Sequence, residues 1–324
     1  IEFIFIPCLY NTIKSLEKVL VSVRIAKYQP FIFLDKNMVY NDAIVVTSVQ
    51  GSDYYSILNS SLYNNWAWKY SGDFGGSTMV YKPSKCFETF PFPENISNEQ
   101  EYRFENIYKT HENHQKLLNM RLSLGLTKLY NQFNNKGLKH FNGPLSNQDI
   151  EKLFGKETWN LFNHLEVKKS GNITFEEAVP LIFKLRELHK EMDEVVLEAY
   201  GWHTDTERWG KAINLRHDFY EVDYLPENDR VRYTIHPEAR KEVLKRLLLL
   251  NHEMHEAEER GITYEELDTE KTLEIYKGHI KDWLTANNSL HSKTLKFLSS
   301  AQELLPTLGS STAQSYKPFV SQYS

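Results

Sequence analysis

Three observations predict an α+β protein, with a mixed N-terminal domain followed by a mainly α-helical region. Aromatic and β-branched runs of strand length gather before residue 96, where 18 of the 43 aromatic residues lie. Beyond it the chain is richer in charge and carries apolar residues at helical spacing over long stretches. Between the two stand Pro91, Pro93 and the polar stretch 94–101, which read as a domain edge. The expected organisation is therefore an α+β domain over 1–96, a helical scaffold over 97–260 and a C-terminal helical extension over 261–324. With 324 residues, 41% apolar and 25% charged, the chain has the make-up of a globular protein able to bury sizeable cores. That composition excludes disordered, collagen-like and disulfide-stapled classes.

In chain order, Leu9, Ile13, Leu16, Val19 and Leu20 keep helical spacing, which predicts a short amphipathic helix over 9–20. The runs 31–34 and 43–49 are strand-like, separated by a turn around Asp35 to Asn37. Ser52 or Asp53 is placed to cap a helix that carries Ile57, Leu58, Leu62 and Trp66 on one face. The stretch Ser71-Gly72-Asp73-Phe74-Gly75-Gly76 reads as a turn-forming loop, and 77–82 as a strand. The region 102–130 reads as one long helix, and 134–175 as loop with short helices. Over 176–200 the stripe Val179, Ile182, Leu185, Leu188, Met192, Val195, Val196 and Ala199 is strongly periodic and stops at Gly201, a C-terminal helix signal. Pro237 suits the first turn of a helix over 238–259, with Val243, Leu244, Leu247, Leu248 and Leu250 as its buried stripe. Two more helical segments and a Ser-rich tail complete the chain, and no internal repeat is visible.

The net charge of −5 and a pI near 6.2 give no global basic field for nucleic acid or anionic lipid, so any such role must rest on a local patch. Two cysteines, Cys8 and Cys86, fit a reducing compartment and rule out a four-cysteine zinc site. No apolar run approaches the length of a membrane span, so a cytoplasmic location without a membrane partner is expected. The chain opens on Ile1 with IEFIFIP, which lacks the pattern of a signal peptide. Together with an ending that breaks off in mid-pattern, this suggests a fragment of a longer polypeptide.

Self-sufficient catalytic motifs are missing from the sequence. It has no glycine-rich phosphate loop, no GxGxxG fingerprint, no GxSxG elbow and no Pro-Pro pair. His252-Glu253-Met254-His255 lacks the four-residue spacing that lets two helical histidines share one metal. His111 and His114, three apart beside Glu112, read as a solvated helix face, and His189 as surface or interhelical. Neighbouring carboxylates such as Glu258-Glu259 point to different helix faces. Cys86 has no local histidine to activate it and reads as a small buried hydrophobe. The richer feature is the mixture of cations and aromatics over 21–92. Arg24 and Lys27 precede a strand, and Lys69, Lys82 and Lys85 flank the Gly-rich loop among Trp66, Trp68, Tyr70 and Tyr81. Such residues suit DNA phosphates and base edges, and equally a protein interface or an aromatic core.

Several segments resemble the target recognition domain of MmeI-like (type IIL) restriction–modification enzymes and related adenine-specific DNA methyltransferases. They are Leu20-Val-Ser-Val-Arg-Ile-Ala-Lys27 with Phe31-Ile-Phe-Leu34, Ile57-Leu-Asn-Ser-Ser-Leu-Tyr-Asn-Asn-Trp66, and above all Tyr81-Lys-Pro-Ser-Lys-Cys-Phe-Glu-Thr-Phe-Pro-Phe-Pro93. Leu126-Thr-Lys-Leu-Tyr-Asn131, Leu185-Arg-Glu-Leu-His-Lys-Glu-Met-Asp193 running into Ala199-Tyr-Gly-Trp202, and Arg232-Tyr-Thr-Ile-His-Pro-Glu-Ala-Arg240 are similar to the helical part that follows it, so the likeness spans about residues 5–260. The resemblance implies a sequence-reading module for double-stranded DNA. Its partner would be an upstream methyltransferase domain of the same polypeptide, which binds S-adenosylmethionine and methylates a flipped adenine. No cofactor is expected in this fragment itself.

By the same resemblance, Gly76, Ser77, Thr78 and Val80 fall in the base-reading segment, with Thr78 the best hydrogen-bonding candidate, and Arg24 and Lys27 match phosphate-binding positions. Relatives often carry charge in this segment, whereas residues 76–80 carry none, which points to readout by hydroxyls and methyl groups. The Phe87–Phe92 cluster is expected to lock the recognition domain against the following helices, with Glu88 as an interdomain hydrogen-bond acceptor. The rival class is a helical protein-interaction subunit without a DNA role, which the negative net charge favours.

Overall fold

The computed structural model describes residues 7–122, 124–141, 146–156, 158 and 175–286. Helix α1 (Pro7–Ile13) is shorter than its periodicity predicts, because Val19 and Leu20 belong to strand β1 (Lys18–Val23). Their spacing fits a helix and a strand alike, and the β-branched run Val19, Val21, Val23 settles for the strand once two partners are at hand. After the two-residue strand β2 (Ile25–Ala26) come β3 (Ile32–Asp35) and β4 (Ile44–Thr47). Both pair antiparallel with β1 in the order β3-β1-β4, Leu20 lying opposite Phe33 on one side and Thr47 on the other. The central strand is buried on both faces. Val19 and Val21 form a core with Ile13, Leu9 and Leu16. As expected, a turn follows β3, with Asp35 Oδ1 accepting the backbone N–H of Asn37.

The apolar stripe Ile57, Leu58, Leu62 and Trp66 is buried as predicted, but on two helices: α2 (Ser52–Asn59) and α3 (Ser61–Tyr70). Ser60 interrupts them with extended backbone, and its Oγ accepts the N–H of Tyr63 as the cap of α3. The cap of α2 is Gly51 at φ 125°, rather than Ser52 or Asp53. Strand β5 (Gly72–Phe74) occupies the expected loop, and β6 (Thr78–Val80) forms the heart of the expected strand. With β2 they make a second sheet in the order β2-β6-β5.

The short helix α4 (Pro83–Cys86) leads to α5 (Asn98–Leu122) and α6 (Leu126–Phe133). The single helix read over 102–130 is thus divided, with Gly125 extended at the start of α6. Helix α7 (Asn147–Phe154) is followed by α8 (Phe175–Ala199), which ends at Gly201 in the left-handed region as the sequence predicts. Helix α8 packs against α2, α3, α5 and α6. Its Val179, Ile182 and Leu185 share a core with Leu118, Leu122, Leu129 and Phe133. An antiparallel hairpin, β7 (Asp218–Glu221) and β8 (Val231–Thr234), was not legible in the sequence. Helices α9 (Pro237–Arg260) and α10 (Tyr264–Ala286) complete the described elements. The Ser-rich tail expected beyond them lies outside the described residues.

The chain divides into two compact units between Asn251 and His252. The second is built from the last turns of α9 and from α10. Gly261 at φ +66° closes α9, with the N–H of Ile262 on Ala257 O, and Thr263 and Glu266 form a reciprocal capping box at the start of α10.

Candidate nucleic-acid interface

The β5–β6 hairpin gathers most of the base-reading candidates. Phe74 pairs with Thr78 and Gly72 with Val80, so the three residues 75–77 form the tip. Gly75 and Gly76 both have positive φ, +66° and +76°, which the tight reversal requires. Asp73 Oδ1 accepts the backbone N–H of Gly76 at 3.0 Å and ties the tip together. Gly76 also lies against Pro226, since a β-carbon there would stand 3.4 Å from the proline Cγ.

Strand pairing sorts the side chains into two faces. Met79 points inward, 1% exposed. The opposite face carries Thr78 and Val80, their partners Phe74 and Gly72 on β5, and Ile25 opposite Val80 on β2. Phe74 is 72% and Ile25 52% exposed, so this face presents two large apolar side chains together. Loop reasoning missed Phe74, although an aromatic between Asp73 and a Gly-Gly pair was visible.

One of the basic candidates borders this face. Lys82 is exposed, and its ammonium lies over Gly72, 3.1 Å from where a β-carbon would stand. A side chain at Gly72 would displace it. Lys85 in the last turn of α4 and Lys69 in the last turn of α3 are exposed as well. Arg24 joins the two sheets: its N–H donates to Ala43 O, its C=O accepts the N–H of Tyr81, and its exposed side chain donates from Nε to Asp42 O at 2.8 Å. Lys27 stands apart from this group. It is ion-paired with Asp229 at 2.8 Å and lines a cleft of about 100 Å³ with Tyr28, Trp68, Tyr224 and Arg232. Although partial burial acts the other way, Lys27 and Arg232 hold the Asp229 carboxyl below its ordinary range.

The block after β6 is built into the core. Tyr81 is buried and its hydroxyl meets that of Tyr63 at 2.5 Å. Phe90 packs edge-on against Tyr63 and Trp66, and Phe92 lies tilted against Tyr54. Tyr200, just past α8, donates to Pro91 O at 2.8 Å, and Asn251 of α9 to Thr89 O at 2.7 Å. The aromatics thus grip α2 and α3, while the backbone of the block holds the later helices. Glu88, expected as an interdomain acceptor, is exposed. Cys86 is buried and its thiol is pushed up by burial, in keeping with an unreactive hydrophobe.

A polar network reaches the cleft, where Tyr130, His189 and His217 belong to the lining. His111 is fully buried, correcting its reading as a solvated face, because that side of α5 is covered by α2 and α8. Its Nδ1 bonds the Tyr55 hydroxyl at 2.9 Å and its Nε2 meets His189 at 3.2 Å, which in turn meets the Tyr130 hydroxyl at 3.1 Å. Buried Asp193 accepts the N–H of Ser61 at 2.6 Å and bonds His217 at 2.7 Å. Among the described residues no group of three or more His, Cys, Asp or Glu side chains is arranged to hold a metal ion. No described helix is long and apolar enough to cross a membrane.

No family model matches the chain, and no curated protein matches it. Among solved structures, the type IIL restriction–modification enzyme MmeI in complex with DNA is similar over 57% of this chain at 16% identity, with a TM-score of 0.33. The likeness is distant, and the match spans 19% of the length of that enzyme's chain.

Proposed function

We propose that this chain is a sequence-reading module for double-stranded DNA, part of a cytoplasmic, site-specific adenine-N6 DNA methyltransferase of a restriction–modification system. The observation that carries the reading is the β5–β6 hairpin, whose outer face offers a hydroxyl and methyl groups beside the Lys82 ammonium. Lys69, Lys85 and Arg24 are exposed on segments that adjoin the hairpin in sequence. Thr78 and Val80 suit base edges and the thymine methyl, and the cations suit phosphates. Ser77 and Gly76 at the tip let the backbone approach closely. Lys27, engaged by Asp229, is the weakest member of the set. The resemblance of Tyr81-Lys-Pro-Ser-Lys-Cys-Phe-Glu-Thr-Phe-Pro-Phe-Pro93 to the methyltransferase family supports the same assignment.

Methyl transfer belongs, on this reading, to a separate domain of the same polypeptide that binds S-adenosylmethionine. The described residues offer no glycine-rich strand-to-helix loop for that cofactor. Gly72, Gly75 and Gly76 serve a β-hairpin, not a strand-to-helix loop, and no Asn/Asp-Pro-Pro-aromatic motif occurs.

The test is a binding titration of the chain on a duplex of about 30 base pairs at rising salt. Lys82→Ala, Lys85→Ala and Arg24→Ala should each weaken binding to all sequences alike and lower the salt slope by about 1. Thr78→Ala should instead relax preference at one base position, by about 1–3 kcal/mol. Binding indifferent to salt and to these lysines would leave the rival reading, a protein-interaction subunit, which the net charge of −5 favours.

A further inference from the structure

We infer that Phe74 is a wedge, an aromatic side chain that enters the base stack of the DNA and opens one base step. The inference rests on the DNA-reading role proposed above and names a residue which that role left unassigned. Phe74 is 72% exposed at the end of a strand, next to a tip that is held from two sides. Asp73 Oδ1 accepts the N–H of Gly76, and Gly76 lies against Pro226. A large ring on a braced hairpin is pre-organised to enter a narrow gap, because little further ordering is needed.

Its surroundings commit it to a polyanion with an apolar interior. Opposite Phe74 stands Thr78, able to hydrogen-bond a base edge, and at the other end of β5 the ammonium of Lys82 lies over Gly72. Phe74 and Gly72 are alternate residues of one strand, so the ring and the cation border the same face. Lys69 and Lys85, on the helices before and after the hairpin, are exposed as well. One protruding aromatic with a cation on the same strand face suits a duplex: the phosphates meet the ammonium and the stacked bases receive the ring. Apolar side chains inserted in this way unstack a step and kink the duplex, at a cost in stacking free energy.

That cost gives the experiment its leverage, since a duplex with a pre-opened step has met it already. The full chain is titrated at low salt with two duplexes of about 30 base pairs, identical except that one carries a central abasic site. The wild-type chain should favour the abasic duplex by on the order of tenfold. Phe74→Ala should bind both duplexes alike, and Phe74→Trp should restore the preference. A 2-aminopurine beside a central TA step, the kind most readily unstacked, should brighten with wild type and stay dark with Phe74→Ala. Equal wild-type affinity for the two duplexes, or a preference that survives Phe74→Ala, overturns the wedge while leaving DNA binding intact. Failure to bind either duplex overturns the DNA-reading role itself, and the exposed face of Phe74 and Ile25 then belongs to a protein contact. Because Phe74 is exposed, its replacement leaves the core unaltered, and unchanged circular dichroism confirms that.

Discussion

Two buried histidines give this protein an acid sensitivity set by single residues. His111 and His189 face each other at 3.2 Å, with Tyr55 and Tyr130 at the ends of the chain of contacts and the Asp193–His217 pair nearby. Burial lowers the pKa of His189 to about 4, against the opposing pull of Asp193 and with a smaller contribution from the neighbouring His217. Burial, with His189 and His114 close by, holds His111 well below the ordinary range. Both rings are therefore neutral in the folded chain at neutral pH. The unfolded chain takes up protons near pH 6.5, before the folded one does, so acid favours unfolding. Stability should be complete above about pH 6.5 and fall as the pH drops toward about 4, by on the order of 2–3 kcal/mol for His189. Urea unfolding at about pH 7.5 and about pH 5 checks this, and His189→Gln should flatten the difference. Equal stability at the two pH values would contradict the neutral pair.

At the scale of elements, the β5–β6 hairpin is limited by its two glycines. Gly75 has open space around its missing side chain, so Gly75→Asn, which tolerates positive φ, should leave stability within about 0.5 kcal/mol. Gly76→Val places a branched side chain at φ +76° against Pro226 and should cost about 2 kcal/mol, read as a lower melting temperature together with weaker DNA binding. The elements differ in how readily the sequence reveals them. Helix α8 was legible because a long apolar stripe ends in a glycine, and α9 because Pro237 opens another such stripe. The breaks at Ser60 and Gly125 were not, since the apolar stripe continues across each of them and only the backbone turns away. Strand β1 was hidden because Val19 and Leu20 satisfy two periods at once. The candidate interface was legible in composition, as lysines near a Gly-rich loop, but its geometry was not. That Lys82 covers Gly72 follows from pairing, and that Asp229 captures Lys27 depends on a contact between residues far apart in sequence.

Across the first unit, cohesion converges on Arg186 of α8, where three parts of the chain meet. Its side chain is nearly buried, and it donates from Nε to Phe133 O at 2.8 Å and from Nη2 to Asn135 O at 3.0 Å and Gln132 O at 3.3 Å. Those carbonyls lie at the C-terminal end of α6, where a helix leaves acceptors without internal partners and carries partial negative charge. The guanidinium also stands 4.9 Å from the rings of Phe183 and Phe219 and 5.5 Å from that of Tyr233, so α8 and the β7–β8 hairpin share it. Burial pushes its pKa down to about 10, which leaves it charged at neutral pH. Removing it strands several carbonyls and loosens the packing of three elements at once, so Arg186→Met should cost about 3 kcal/mol of unfolding free energy. Arg186→Lys should recover less than half of that, because a lysine keeps the charge but has no planar fork to reach three carbonyls and no flat face for the rings. Urea unfolding of the three proteins decides between charge and shape: full rescue by lysine would mean that charge alone secures the junction, and the fork assigned here would be incidental.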